Sequence, residues 1–211
     1  MKLYIYKHCP FCARVRFIAR QLKIEIEEVV IEFDDSATPI DLIGKRSVPI
    51  LVADDETVMA ESLDIIAHFK SLAGISVPQK PELSTLEWQS AAFPLIQQIG
   101  YPRWHLLGLE EFKTYSSRLF WKERKQTPEL KFDNLLKNST AIVSKINSHI
   151  ELLESNHKML SDLPLLDQAI HFSLLRGLYS TTDIKNTTEA YHWVQSKSEE
   201  LGIELLVSSN Y

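Results

Sequence analysis

A chain of 211 residues can bury a sizeable core, and 45% hydrophobic with 24% charged residues and only 6 Gly exclude a disordered, collagen-like or low-complexity polymer. The formal net charge of -5, with Lys and Arg scattered rather than gathered in a stripe, lacks the basic excess that a nucleic-acid partner requires. No apolar run is long enough to span a membrane and no secretory h-region precedes Lys7-His8-Cys9, so the cytoplasm is the expected compartment.

In chain order, Leu3 and Ile5 alternate with Tyr4 and Tyr6, predicting a short strand that Cys9-Pro10 stops, because proline suits the first turn of a helix. Val15, Ile18, Ala19 and Leu22 recur at helical spacing, and the run Ile26 to Ile31 then reads as a second strand, giving a βαβ start. Turn and cap residues from Asp34 to Pro39 introduce a short helix to Ile43, closed by Gly44. Pro49 to Val52 and Thr57 to Met59, joined by Asp54-Asp55-Glu56, predict an antiparallel hairpin. From Ser62, the residues Leu63, Ile65, Ile66, Phe69 and Leu72 mark a helix ending near Gly74. Residues 1–75 thus read as β-α-β-α-β-β-α. Pro78 and Pro81 oppose helix and sheet alike and mark 76–82 as a linker. Beyond it strand signals fade, so 83–211 is expected to be all-helical. Leu135, Leu136, Ile142, Val143, Ile146, Ile150 and Leu153 predict one helical face over about five turns. Leu166, Ile170 and Leu174 continue the pattern in a later helix.

Cys9-Pro10-Phe11-Cys12 carries the chemistry. Between a strand and a helix, the first sulfur of a CxxC sits at the helix N-terminus, where unpaired N–H groups and the positive dipole end favour a thiolate. The second sulfur is one turn on, so Cys9 can attack a disulfide and Cys12 can resolve the mixed disulfide from within. A zinc site would need further ligands, and no second CxxC or HxxxH supplies them, so no metal is expected. Inert core thiols explain a CxxC at this junction poorly. Lys7, His8, Arg14 and Arg16 add positive charge nearby and read as solvated surface groups. Val48-Pro49 opens the third strand, where proline serves either as a terminator or as a cis-proline. Glu61-Ser62 caps the following helix, whose N-terminus can also hold a carboxylate.

The segments MKLYIYKHCPFC, SVPIL and MAESLDIIAHF, in this order and spacing, resemble the active site of glutaredoxins on the thioredoxin-like domain of the glutathione transferase superfamily, and above all the large two-domain bacterial class, the glutaredoxin 2 class. YPRW at 101–104 and HFSLLRGL at 171–178 extend the resemblance over the helical part with less specific motifs. It implies a glutathione transferase-like architecture: an α/β thioredoxin-like domain followed by an all-α domain. It implies a glutathione-dependent thiol-disulfide oxidoreductase, with Cys9 as nucleophile and Cys12 as its resolving partner. Glutathione, the reducing co-substrate, would contact Cys9 and Phe11, pair its cysteinyl unit with the backbone of Val48 beside a cis Pro49, and place its γ-glutamyl end at Glu61 and Ser62. Arg46 matches the glycyl carboxylate by charge alone. The expected partners are glutathione and disulfide-containing or glutathionylated proteins, acted on by a monomer, without nucleic acid, membrane or metal. A cysteine-type glutathione transferase and a non-catalytic binding module on the same fold are the alternatives. The superfamily's Ser/Thr-x-x-Asp capping box is expected to be replaced, with Leu165 and Gln168 at the corresponding positions and a helix start at Ser161 or Asp162. The helical domain is expected to wall the cleft, with Tyr101, Arg103 and Trp104 as candidate cleft residues.

Overall fold

The computed structural model describes residues 1–75, 80–156 and 159–207, so most of the linker expected at 76–82 lies outside the described residues. The chain begins β1 (Lys2–Ile5), α1 (Pro10–Gln21), β2 (Glu27–Val30), α2 (Ala37–Ile43), β3 (Ile50–Val52), β4 (Val58–Met59) and α3 (Ser62–Leu72), the order read from the sequence. Its four strands lie in the order β2-β1-β3-β4. β1 runs parallel to β2 and antiparallel to β3, so Tyr4 faces Val29 on one side and Ile50 on the other. Alternation puts Leu3 and Ile5 wholly in the core, and Pro10 opens α1 at a position where its missing N–H costs nothing. Gly44 ends α2 with φ of 71°, a left-handed conformation that glycine adopts without a Cβ penalty.

The second part is helical throughout its described residues: α4 (Leu83–Trp104), α5 (Tyr115–Lys125), α6 (Phe132–Lys137), α7 (Ser139–Asn156), α8 (Leu165–Leu175) and α9 (Glu189–Leu201). Short 3₁₀ turns lie at Glu110–Phe112, Leu160–Asp162 and Arg176–Ser180. α1 lies between α3 of the sheet and α8 of the helical part, with Phe17 against Phe172 at 5.2 Å. This double covering is why nine residues of α1 are buried rather than one stripe.

Two expectations need correction. The face expected to run unbroken from Leu135 to Leu153 is divided at Asn138 into α6 and α7, and Leu136 points out, 43% exposed. α8 begins at Leu165 with Pro164 as its cap, not at Ser161 or Asp162. The capping pair therefore stands one residue earlier than expected, at Pro164 and Asp167. Pro164 has no N–H to offer a carboxylate three residues on, and the Asp167 carboxylate instead accepts the backbone N–H of Glu82 at 2.8 Å, pinning α8 to the start of α4. The Gln168 amide donates to the carbonyls of Ser161 and Leu163, steadying the approach to the helix.

Gly100 and Gly177 make room for Trp104. A Cβ on Gly100 would stand 2.1 Å from the indole, and the Trp104 Nε1–H donates to the Gly177 carbonyl at 3.1 Å. Gly100→Ala should therefore force the indole to move and cost about 1–3 kcal/mol, read as a lower urea midpoint with a changed tryptophan fluorescence. An unchanged midpoint would mean that Trp104 is not wedged there.

Candidate active site

β1 delivers the chain through Tyr6, Lys7 and His8 to Cys9, which caps α1 in an extended conformation (φ -69°, ψ 122°). Its sulfur accepts the Cys12 backbone N–H at 3.4 Å, so the first turn of the helix points a donor at the position where negative charge would sit. Cys9 is 8% exposed, and Cys12, one turn on, is fully buried. Both are free thiols. The Cys9 thiol is held below its ordinary value, first by the hydrogen bond from the Cys12 side chain and then by backbone N–H groups of Cys12 and Phe11 and the charge of Arg176, which together outweigh burial. Burial and the neighbouring Cys9 push the Cys12 thiol far up. At mildly acidic pH the thiolate fraction therefore sits on Cys9, and iodoacetamide should label it first. Mass mapping that finds Cys12 modified as fast as Cys9 would contradict this asymmetry.

Cys9 opens into a cleft of about 200 Å³. Tyr6, Phe11, Arg46 and Val48 line it from the sheet side, and Phe93, Tyr101, Trp104, Trp121 and Lys125 from α4 and α5. The Val48–Pro49 bond is cis, as the resemblance implied. Phe11, 39% exposed, meets Phe93 edge-on at 6.1 Å. Arg46 lies over the rings of Phe33 and Phe120 at 4.5 and 4.8 Å and donates to the Phe33 carbonyl. Pro49, Glu61 and Ser62 are not on the wall of this cavity. Ser62 opens α3 as a buried side chain, while Glu61 caps that helix and pairs with Lys45 at 2.8 Å. Tyr101 and Trp104 are on the cleft wall, but Arg103 is not: it donates to the Ile99 carbonyl and the Ser139 hydroxyl and fastens α4 to α7.

The charged flank of the CPFC segment differs from expectation, since His8, Arg14 and Arg16 are 6%, 4% and 3% exposed. The helical part supplies partners for each. Glu111, itself fully buried, accepts both the His8 backbone N–H and its ring Nδ1, each at 2.8 Å. Arg14 donates to Gln89 at 2.9 Å, and Arg16 grips the Glu204 carboxylate with both terminal nitrogens at 2.9 Å while also pairing with Glu28. Lys7 meets Glu110 at 2.6 Å. Fully buried Arg176 donates to the carbonyls of Lys7 and Glu204. The loop before Cys9 is thus clamped from the other side of the seam. The His8 ring lies among Tyr6, Phe33, Trp104, Phe112 and Trp121, and burial holds its pKa down despite Glu111. Glu111, Lys125, Arg176 and Glu204 escaped sequence reading, because nothing local ties them to a CxxC more than ninety residues away.

Among the described residues, no group of three or more His, Cys, Asp and Glu could hold a metal, and no helix is long and apolar enough to cross a membrane. Residues 84–209 match the family described as "Glutaredoxin 2, C terminal domain", and residues 3–80 match "Glutathione S-transferase, N-terminal domain". Glutaredoxin 2 of Escherichia coli (strain K12) is 31% identical over 157 residues, which span 73% of this chain and 72% of that protein. The crystal structure of glutaredoxin 2 from Salmonella typhimurium in complex with glutathione superposes with a TM-score of 0.89 at 31% identity, over 97% of this chain and 96% of that one. A glutathione S-transferase of Ceriporiopsis subvermispora, 11% identical with a TM-score of 0.69 over 95% of this chain and 96% of that one, shares the fold.

Proposed function

The chain belongs to the glutaredoxin 2 family, and from that premise we propose that Cys9 is its attacking thiolate and Cys12 its resolving thiol. It is a glutathione-dependent thiol-disulfide oxidoreductase, and the Salmonella relative holds glutathione itself. The observation that carries the residue assignment is the Cys9 sulfur at the N-terminus of α1, receiving the Cys12 N–H at 3.4 Å and facing a cleft.

The Cys9 thiolate attacks a disulfide sulfur, a Cys9–S–S bond forms, and the displaced thiolate leaves with the electron pair. A glutathione thiolate can then attack the mixed disulfide and restore Cys9 as the leaving thiolate. With a protein substrate, Cys12 attacks instead, leaving a Cys9–Cys12 disulfide that two glutathione molecules reduce. Two of the influences that raise the Cys12 pKa, its hydrogen bond to Cys9 and the charge of Cys9, disappear once Cys9 is in a mixed disulfide. Burial, the largest influence, remains, so the Cys12 thiol is then held up less strongly than in the free dithiol.

Glutathione would lie extended along Val48, whose backbone pairs with the cysteinyl unit beside Pro49, with Phe11 across the cleft. Its γ-glutamyl carboxylate would meet Ser62 and the N–H groups opening α3, with Glu61 at the amino group. Residues 1–75 and 83–211 would act as two units joined by 76–82, as a cytoplasmic monomer serving glutathionylated and disulfide-containing proteins. Glutathione-coupled reduction of hydroxyethyl disulfide, set beside conjugation of chlorodinitrobenzene, tests this reading. Rapid reduction with little conjugation is expected; conjugation without reduction would make it a transferase, and neither would make it a binding module.

A further inference from the structure

Lys125 ends α5, where a lysine ordinarily serves the carbonyl end of its own helix, beside Lys122 and Arg124 in the same turn. Its ammonium instead reaches into the Cys9 cleft, 5.1 Å from the ring centre of Tyr101 and 5.5 Å from that of Trp121. No acidic side chain lines the cleft, and among the described residues Lys125 has no carboxylate partner. The other cation there, Arg46, is already committed to the Phe33 carbonyl and two aromatic faces. Lys125 is therefore a half-buried cation held in place by rings, with its hydrogen-bonding capacity unspent. Burial lowers its pKa while Cys9 acts to raise it, as a nearby thiolate would.

Building on the oxidoreductase reading, we propose that Lys125 is a specificity determinant: its ammonium receives a carboxylate of the second glutathione, the one that resolves the Cys9–glutathione mixed disulfide. The first glutathionyl unit occupies the wall that carries Val48. The second must approach the same sulfur from the opposite side, where α5 stands. Its thiolate attacks the glutathionyl sulfur, the S–S bond of glutathione disulfide forms, and the bond to Cys9 breaks with the electron pair leaving on Cys9. The attacking tripeptide carries two carboxylates, and a positioned cation in a partly dry cleft favours it over an uncharged thiol.

The full chain carrying Cys12→Ser is loaded with glutathione on Cys9 and checked by mass. The second-order rate of adduct removal is then measured with glutathione and with uncharged 2-mercaptoethanol, and the ratio of the two rates is compared across variants. Adding Lys125→Met should lower that ratio about tenfold, and Lys125→Arg should restore most of it. In the chain that retains Lys125, added salt should slow glutathione relative to 2-mercaptoethanol, whereas the overall charge of -5 acting alone would speed an anionic thiol. A ratio unchanged by Lys125→Met, a Lys125→Arg ratio as low as that of methionine, or salt acting in the opposite sense overturns the proposal. A chain that takes up no glutathione at Cys9 overturns the oxidoreductase reading itself, and this proposal with it.

Discussion

Cys9→Ser should reduce disulfide exchange to the uncatalysed background, while Cys12→Ser should keep turnover of glutathione-mixed disulfides within about tenfold of the parent. A serine hydroxyl at position 9 does not ionise at neutral pH, so the helix terminus has no anion to stabilise and the reaction no nucleophile. Serine at position 12 keeps both donors that face Cys9, the backbone N–H at 3.4 Å and a side-chain O–H in place of the S–H. Glutathione then performs the resolving step from solution. Cys12→Ala removes the side-chain donor, so its Cys9 should alkylate with a higher apparent pKa than in Cys12→Ser. Reduction of a protein disulfide, which needs the internal resolving thiol, should fall in both Cys12 variants. Steady-state rates on a glutathionylated peptide that drop equally for Cys9→Ser and Cys12→Ser would contradict the assignment.

Glu111→Ala should cost about 3–5 kcal/mol of stability, because it leaves the buried His8 N–H and ring without their acceptor. Glu111→Gln, whose amide oxygen can still accept the backbone N–H, should lose less, about 1–3 kcal/mol. Urea midpoints measure both, and an alanine variant as stable as its parent would remove the dyad from the account. The same pair sets the acid limit. The unfolded chain protonates His8 near the ordinary 6.5, a proton that the buried ring resists, so stability falls as pH drops below that value. Burial alone would raise the Glu111 pKa, but the His8 contacts outweigh it and hold the carboxyl below the ordinary 4.5. Its contribution, present above that value, is lost as pH falls further through the lower folded one. Urea midpoints taken from pH 7 to 4 should decline in the parent and at least as steeply in Glu111→Ala, whose buried His8 ring has lost the carboxylate that helps it hold a proton; the loss due to Glu111 itself appears only below 4.5.

The β-α-β-α-β-β-α order was legible because each element announces itself locally, by alternation in β1, by Pro10 at the head of α1 and by Gly44 at the foot of α2. The CPFC turn was legible for the same reason, since strand, cap and helix are contiguous. Neither the burial of Arg14 and Arg16 nor the role of Glu111 could be read in that way. A charged residue reads as solvated until its partner is known, and the partner of Arg16 is Glu204, at the far end of the chain. The break at Asn138 was hidden because Leu135 and Ile142 fit one continuous face by spacing, although Leu136 on that pattern turns to solvent. Tyr101 and Trp104 were correctly suspected of lining the cleft, while Arg103 shares their turn but points to α7, a distinction made by rotation about a helix axis rather than by residue type.

The clamp on the Lys7-His8-Cys9 loop also has a consequence in time. Both cysteines leave the ribosome early, whereas Glu111, Arg176 and Glu204 follow by roughly 100 to 190 residues, which at about 5–20 residues per second leaves the thiols unbuttressed for roughly 5–40 s. During synthesis the nascent sheet carries a reactive pair whose thiolate balance is not yet that of the finished protein. Premature oxidation of Cys9 to Cys12 would then be a hazard of birth rather than of service, greatest where translation is slow and the surrounding thiol pool most oxidised.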